Sequence, residues 1–172
     1  MDQADTWERL SHLLPESDAQ QFQDCWDTGE QEAGLDRLVG GLLEQQTAIN
    51  DTVRAEISVV AETWGMREAL TPRLLACPGD GSPHTLELID PPDPLHAVPD
   101  PQLADLVLVP WIRCVNSGRL LIRAHVEEPW GDLSLIAEHY AVLASERGPL
   151  VRLFEAFSAG DALTELLQPR VS

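Results

Sequence analysis

The chain has 172 residues, with 29 acids against 11 basic side chains, all of them arginine, and a formal net charge of −18. That balance excludes a free nucleic-acid binder, which needs clustered cations to displace counterions from phosphates. A hydrophobic share of 44% excludes a disordered chain, and the length suits a single domain over 1–172.

The first half reads as helices, a helical half over 1–77. Asp5 with Glu8 forms a capping-box pattern, followed by Trp7, Leu10 and Leu14 at helical spacing up to Pro15. Ser17 with Gln20 opens a second helix carrying Phe22, Cys25 and Trp26, closed near Gly29. A third, about Glu30 to Gln45, carries Leu35, Leu38, Val39 and Leu42, and Gly40-Gly41 weakens it. A fourth starts after Asn50 or Asp51 with Val53, Ile57, Val60 and Trp64 as its stripe. Thr71-Pro72 predicts an N-cap and first-turn proline of a short helix through Ala76.

The character changes at Cys77 to Pro83. His84 to Ile89 alternates like a short strand, and the Pro-rich segment 90–102 predicts an exposed loop or hinge. A β-rich half over 103–172 follows. Leu106 to Val115 and Arg119 to Val126 flank Asn116-Ser117-Gly118, a three-residue hairpin loop. Asp132 then caps an expected helix with Leu133, Ile136, Ala137 and Tyr140 on one face. Leu150 to Phe157 is a last strand and Asp161 to Gln168 a last helix. The expected fold is α+β: four or five helices packed on a small mixed sheet, in the order strand, linker, strand, strand, helix, strand, helix.

That order is similar to the core of restriction-endonuclease-like nucleases, which hold metal on acids and a lysine near the second and third strands. Arg119 to Val126 contains no acid and the chain no lysine, so the likeness is one of element order alone. His125-Val126-Glu127 matches half of a zinc deaminase motif, but no cysteine follows Cys114 to complete it. The five histidines, His12, His84, His96, His125 and His139, show no metal-binding spacing. Neither a metal site nor a cofactor is expected.

Charge is unevenly placed. Residues 1–36 hold ten acids against one arginine, while 106–126 hold three arginines and no acid. A GC-rich genome or adaptation to salt would also produce an acidic, lysine-free chain, but neither explains this segregation. Asp24, Asp27, Glu30 and Glu32 are candidate contacts for a basic partner, with Trp26 as anchor; the structural alternative is a solvated helix face. Glu127, Glu128 and Trp130 are further candidates, against the alternative that Trp130 plugs the core. Pairing across the three-residue loop sets Trp111 opposite Arg123 and Arg113 opposite Leu121. Trp111, Arg113, Arg119 and Arg123 then share a face, either to receive an anion or to pair internally with the acidic helices.

A start without a basic segment or apolar stretch, a longest apolar run of seven residues (Leu106 to Ile112) and three scattered cysteines together predict a cytoplasmic protein. The leading functional expectation is a non-enzymatic acidic module that masks a basic protein partner, as a bacterial toxin-neutralising immunity protein or inhibitor does. The alternatives are a structural or regulatory subunit of a larger assembly, and an enzyme using Cys114, His125 and Glu127. Neither nucleic acid nor membrane is an expected partner; a homo-oligomer is compatible.

Overall fold

Five helices follow one another in the first half of the computed structural model, which describes residues 2–95, 98 and 100–169. They are α1 (Gln3–Ser11), α2 (Glu16–Asp27), α3 (Gln31–Glu44), α4 (Asp51–Thr63) and α5 (Arg67–Ala76). Trp7 of α1 stacks on Phe22 of α2 with ring centroids 4.1 Å apart. Its indole N–H donates to the Phe22 carbonyl at 3.0 Å, so the one polar atom of the ring is satisfied inside the core. Gly34 of α3 is what lets that helix close on the ring: a Cβ there would stand 2.6 Å from Trp7 Cζ2. A residue that helix propensity disfavours is here a condition of packing.

Three helix starts differ from the expectation; α2 begins at Glu16, with Ser17 inside it and no side-chain cap. The cap of α1 is Asp2, whose carboxylate accepts from the Ala4 N–H at 2.9 Å; Asp5 lies inside the helix. Helix α5 begins at Arg67, with Thr71 and Pro72 inside it. The Thr71 hydroxyl donates to the Arg67 carbonyl at 2.6 Å, so it bonds backward along the helix and caps nothing. Arg54 of α4 satisfies carbonyls at the end of α5, donating to Leu74 and Cys77, both at 3.0 Å.

The chain divides into two compact units, Met1–Pro83 and His84–Ser172, at the end of the Cys77 to Pro83 punctuation. The second unit contains β1 (Leu86–Leu88), a 3-10 turn (Pro101–Leu103), β2 (Val107–Cys114), β3 (Leu120–His125), β4 (His139–Leu143), β5 (Leu150–Glu155) and α6 (Ala159–Leu167). With helices in the first half and this sheet in the second, the class is α+β.

Two expectations need correction here. The sheet is not mixed: its order is β1-β2-β3-β4-β5 and every neighbouring pair is antiparallel. The helix expected from Asp132 is absent, and with it the element order similar to nucleases. The helical spacing of Leu133, Ile136 and Tyr140 loses to cross-strand pairing, since His139–Leu143 lies against both β3 and β5. Ser134 reinforces the outcome by bonding the backbone with its hydroxyl, accepting from the Val126 N–H and donating to the Ile136 carbonyl. The segment 90–102 is largely exposed loop where it is described, held at Leu95, which bridges Leu108, and at Val98, which is buried. His96, Ala97 and Pro99 lie outside the described residues.

All six residues of β3 are buried, because both faces of the central strand are covered. Leu120, Ile122 and Ala124 join Leu108, Val98 and Leu103 in one core. Leu121, Arg123 and His125 alternate to the other face, where Arg152 of β5 reaches Glu165 of α6. Among the described residues no helix is long and apolar enough to cross a membrane.

Candidate functional site

The β2–β3 register differs from the expected one. Arg123 lies opposite Val109, Arg113 lies opposite Leu120, and Trp111 occupies a bulge between Pro110 and Ile112. The cause is at the turn: the Val115 N–H donates to Thr85 beside β1, so the hairpin closes at Cys114, whose N–H donates to the Arg119 carbonyl. The arginine face therefore splits. Arg123 keeps Trp111, its guanidinium carbon 5.9 Å from the ring centroid, and is itself buried. Arg119 turns to α6, bonding Glu165 at 3.2 Å and the Gln168 carbonyl at 3.0 Å. Arg113 lies on the opposite side of the sheet, pairing with Glu87 at 3.0 Å and Glu146 at 3.7 Å. The carboxylates that meet Arg113 and Arg119 thus belong to His84–Ser172, not to the acidic helices of residues 1–36.

Cysteine chemistry pairing Cys114 with His125 or His139 has no geometry here. Cys114 sits at the turn end of the β2–β3 ladder and His125 at the far end, six residues along β3 from the position facing Cys114. At roughly 3.3 Å per residue the two stand about 20 Å apart. His139 lies opposite Ala124 and is equally remote. His125 Nδ1 is 2.8 Å from the Ser134 carbonyl and serves the loop that follows. Burial alone would raise the Cys114 thiol, but hydrogen bonds from the Ser117 side chain and the Ser117 and Asn116 backbone, with the Arg119 charge, outweigh it and hold the pKa below the ordinary value. Among the described residues no group of three or more His, Cys, Asp or Glu side chains is placed to hold a metal ion.

The acidic candidates of the first unit gather where α2 turns into α3. Asp24 and Asp27 stand in the last turns of α2, Glu30 holds the N-cap position of α3 without a side-chain cap bond, and Glu32 lies in its first turn. Gly29, at φ +75°, makes the reversal, and the Glu30 N–H donates back to the Cys25 carbonyl at 2.7 Å. All four acids are exposed. Asp24 accepts from Gln20 and Glu30 from Thr28. Among the described residues no arginine pairs with any of the four; Arg9, Arg54, Arg67 and Arg73 meet Glu56, Asp51, Glu62 and Asp36 instead. Trp26 is half-buried in a row of rings, 5.4 Å from Trp7 and 6.4 Å from Trp64. It is placed to pack the helices.

The acidic candidates of the second unit lie on the loop joining β3 to β4. Trp130 is 72% exposed, so the alternative that it plugs the core does not hold. The Gly131 N–H donates to the Glu128 carbonyl, making a tight turn around Trp130, and the Glu128 N–H donates to the Asp132 carbonyl. The same loop exposes Val126, Leu133, Leu135 and Ile136, of which the expected helix put Leu133 and Ile136 on its apolar face. Only cross-strand pairing of His139–Leu143 could have revealed them.

No protein-family model, no curated protein and no solved structure matches this chain.

Proposed function

We propose that the chain is a non-enzymatic, acidic, cytoplasmic protein-binding module that engages a basic protein partner and masks its positive site, as a toxin-neutralising immunity protein or inhibitor does. The observation that carries this reading is the α2–α3 turn, where Asp24, Asp27, Glu30 and Glu32 stand exposed and without an arginine among the described residues.

Local stability accounts for Glu30 and Glu32, which stand at the positive end of α3, but not for Asp24 and Asp27. The carbonyl end of a helix is the negative end of its dipole, where cations are favoured and carboxylates are not. Yet Asp24 and Asp27 occupy the end of α2, and no basic residue stands in its last turn. A partner's arginine or lysine would relieve both the repulsion and the dipole. Uncompensated like charge also raises the rate at which an oppositely charged partner is found.

The test is affinity capture from native lysate at low ionic strength, followed by a salt gradient. A partner rich in Lys and Arg should be retained at about 0.1 M salt and released towards about 1 M, as the screening length falls from about 10 Å to about 3 Å. Companions that survive the gradient would instead mark the chain as a subunit of a larger assembly, held by apolar contacts that salt does not screen.

A further inference from the structure

We propose that the 126–138 loop is a preformed docking surface for a cationic, amphipathic segment of another protein. The segment's apolar side chains would seat on Trp130, Leu135 and Ile136, and its Lys or Arg side chains would meet Glu127, Glu128, Asp132 and Glu138. This inference shares with the proposed function only the sign of the partner's charge, and it stands on a different segment and a different observation.

Exposed apolar side chains scattered singly are normal on a protein surface; a cluster marks an interaction site. Of the ten large apolar side chains exposed among the described residues, five fall within 126–136: Val126, Trp130, Leu133, Leu135 and Ile136. Leu135 is 90% exposed.

The exposure belongs to an ordered loop. Glu127 bridges Leu133, and the Ser134 N–H donates to the Val126 carbonyl at 2.8 Å. His125 Nδ1 and the Ser134 hydroxyl hold the base of the loop. Between the Ala124–His139 pair and the Glu127–Leu133 bridge, one limb advances three residues and the other six. The surplus on the returning limb forms a bend that pushes Leu135 and Ile136 outward, while Ala137 returns to the interior. A loop held in this way loses little conformational entropy on binding.

Charge selects the occupant. The loop carries four acids and no arginine, and none of the four pairs with an arginine among the described residues. A second copy would bring the same four carboxylates on a chain of net charge −18. An anionic membrane surface would be repelled in the same way. A segment that interleaves apolar side chains with cations satisfies both features, with Trp130 as the anchor type that dominates binding energy elsewhere.

The probe is a phage-displayed library of random short peptides selected on the immobilised full chain. The expected enrichment is in peptides that combine Lys or Arg with aliphatic or aromatic residues. A synthetic enriched peptide should bind at least about tenfold more weakly to Trp130→Ala and to the Leu135→Ser/Ile136→Ser double variant. Glu127→Gln/Glu128→Gln should weaken it as well, while D24N/D27N/E30Q/E32Q leaves it unchanged. Apart from half-buried Glu128 these side chains are exposed, and unchanged melting temperatures confirm that each variant folds. Enrichment of neutral or acidic peptides overturns the proposal. So does equal enrichment on the Trp130→Ala chain, a self-association lost in Trp130→Ala, or Trp130-dependent binding to phosphatidylcholine vesicles. A peptide lost only in the quadruple acid variant overturns this inference and leaves the α2–α3 reading standing.

Discussion

Arg119 donates to Glu165 at 3.2 Å, tying the start of the central strand to the last helix, and Arg152 reaches the other oxygen of the same carboxylate at 3.2 Å. The two bonds differ in worth because the side chain of Arg119 is 7% exposed and that of Arg152 62%. Glu165→Gln leaves a buried guanidinium without its counter-charge and should cost about 2–3 kcal/mol in urea unfolding. Arg152→Ala removes a solvent-screened partner and should cost less than about 1 kcal/mol. Equal losses would show that the two bonds do not differ in this way.

Gly34→Ala opposes two effects. Alanine favours a helix by about 1 kcal/mol, but its methyl group would meet Trp7 Cζ2 at 2.6 Å and Cys25 Cβ at 2.9 Å. Neither neighbour is the flexible end of a long chain, so overpacking should win and destabilise the fold by about 1–3 kcal/mol. Gly160→Ala in α6 meets nothing within 4 Å and should be neutral or stabilising by about 0.5 kcal/mol. Thermal melts of the two variants check the contrast.

Cys77 and Cys114 should separate by pH. Cys77 is pushed up by burial, against weaker opposing effects of Arg54 and Arg73, while Cys114 is held down by its hydrogen bonds despite burial. The thiolate is the reactive form, so iodoacetamide followed by peptide mass spectrometry should find Cys114 alkylated at lower pH than Cys77. Ser117→Ala removes the largest of the lowering effects and should move the onset upward. An unmoved onset would show that Ser117 does not set it.

Asp24 and Asp27 make a claim on stability opposite to the usual one. D24N/D27N removes two carboxylates from the negative end of α2, so its melting temperature should equal or exceed that of the native chain. A loss of more than about 1 kcal/mol would mean that the acids serve the fold.

Much of the fold is legible in the residues. The apolar stripes of α1 to α4 and the pairing of Leu106 to Val115 with Arg119 to Val126 follow from spacing and turn chemistry. What fails is decided by long-range competition for backbone bonds. Thr85 takes the Val115 N–H and shortens the hairpin by a pair, and the bulge at Trp111 then shifts its register. Residues 132–140 carry a helical pattern, but β3 and β5 offer His139–Leu143 two ladders. That same failure hid Leu133 and Ile136, which local spacing assigns to the apolar face of a helix. The four acids around α2 and α3 are visible in sequence; the pairing of the neighbouring arginines with other carboxylates is not.

On the proposed function, the carboxylates at the α2–α3 turn carry recognition of a basic partner. The most direct measurement is the association rate of the captured partner with the native chain and with D24N/D27N/E30Q/E32Q, across ionic strength. The native chain should associate fast, at a rate that falls steeply with salt, and the variant more slowly, with a shallower salt slope. Identical rates and salt slopes for the two chains would contradict it.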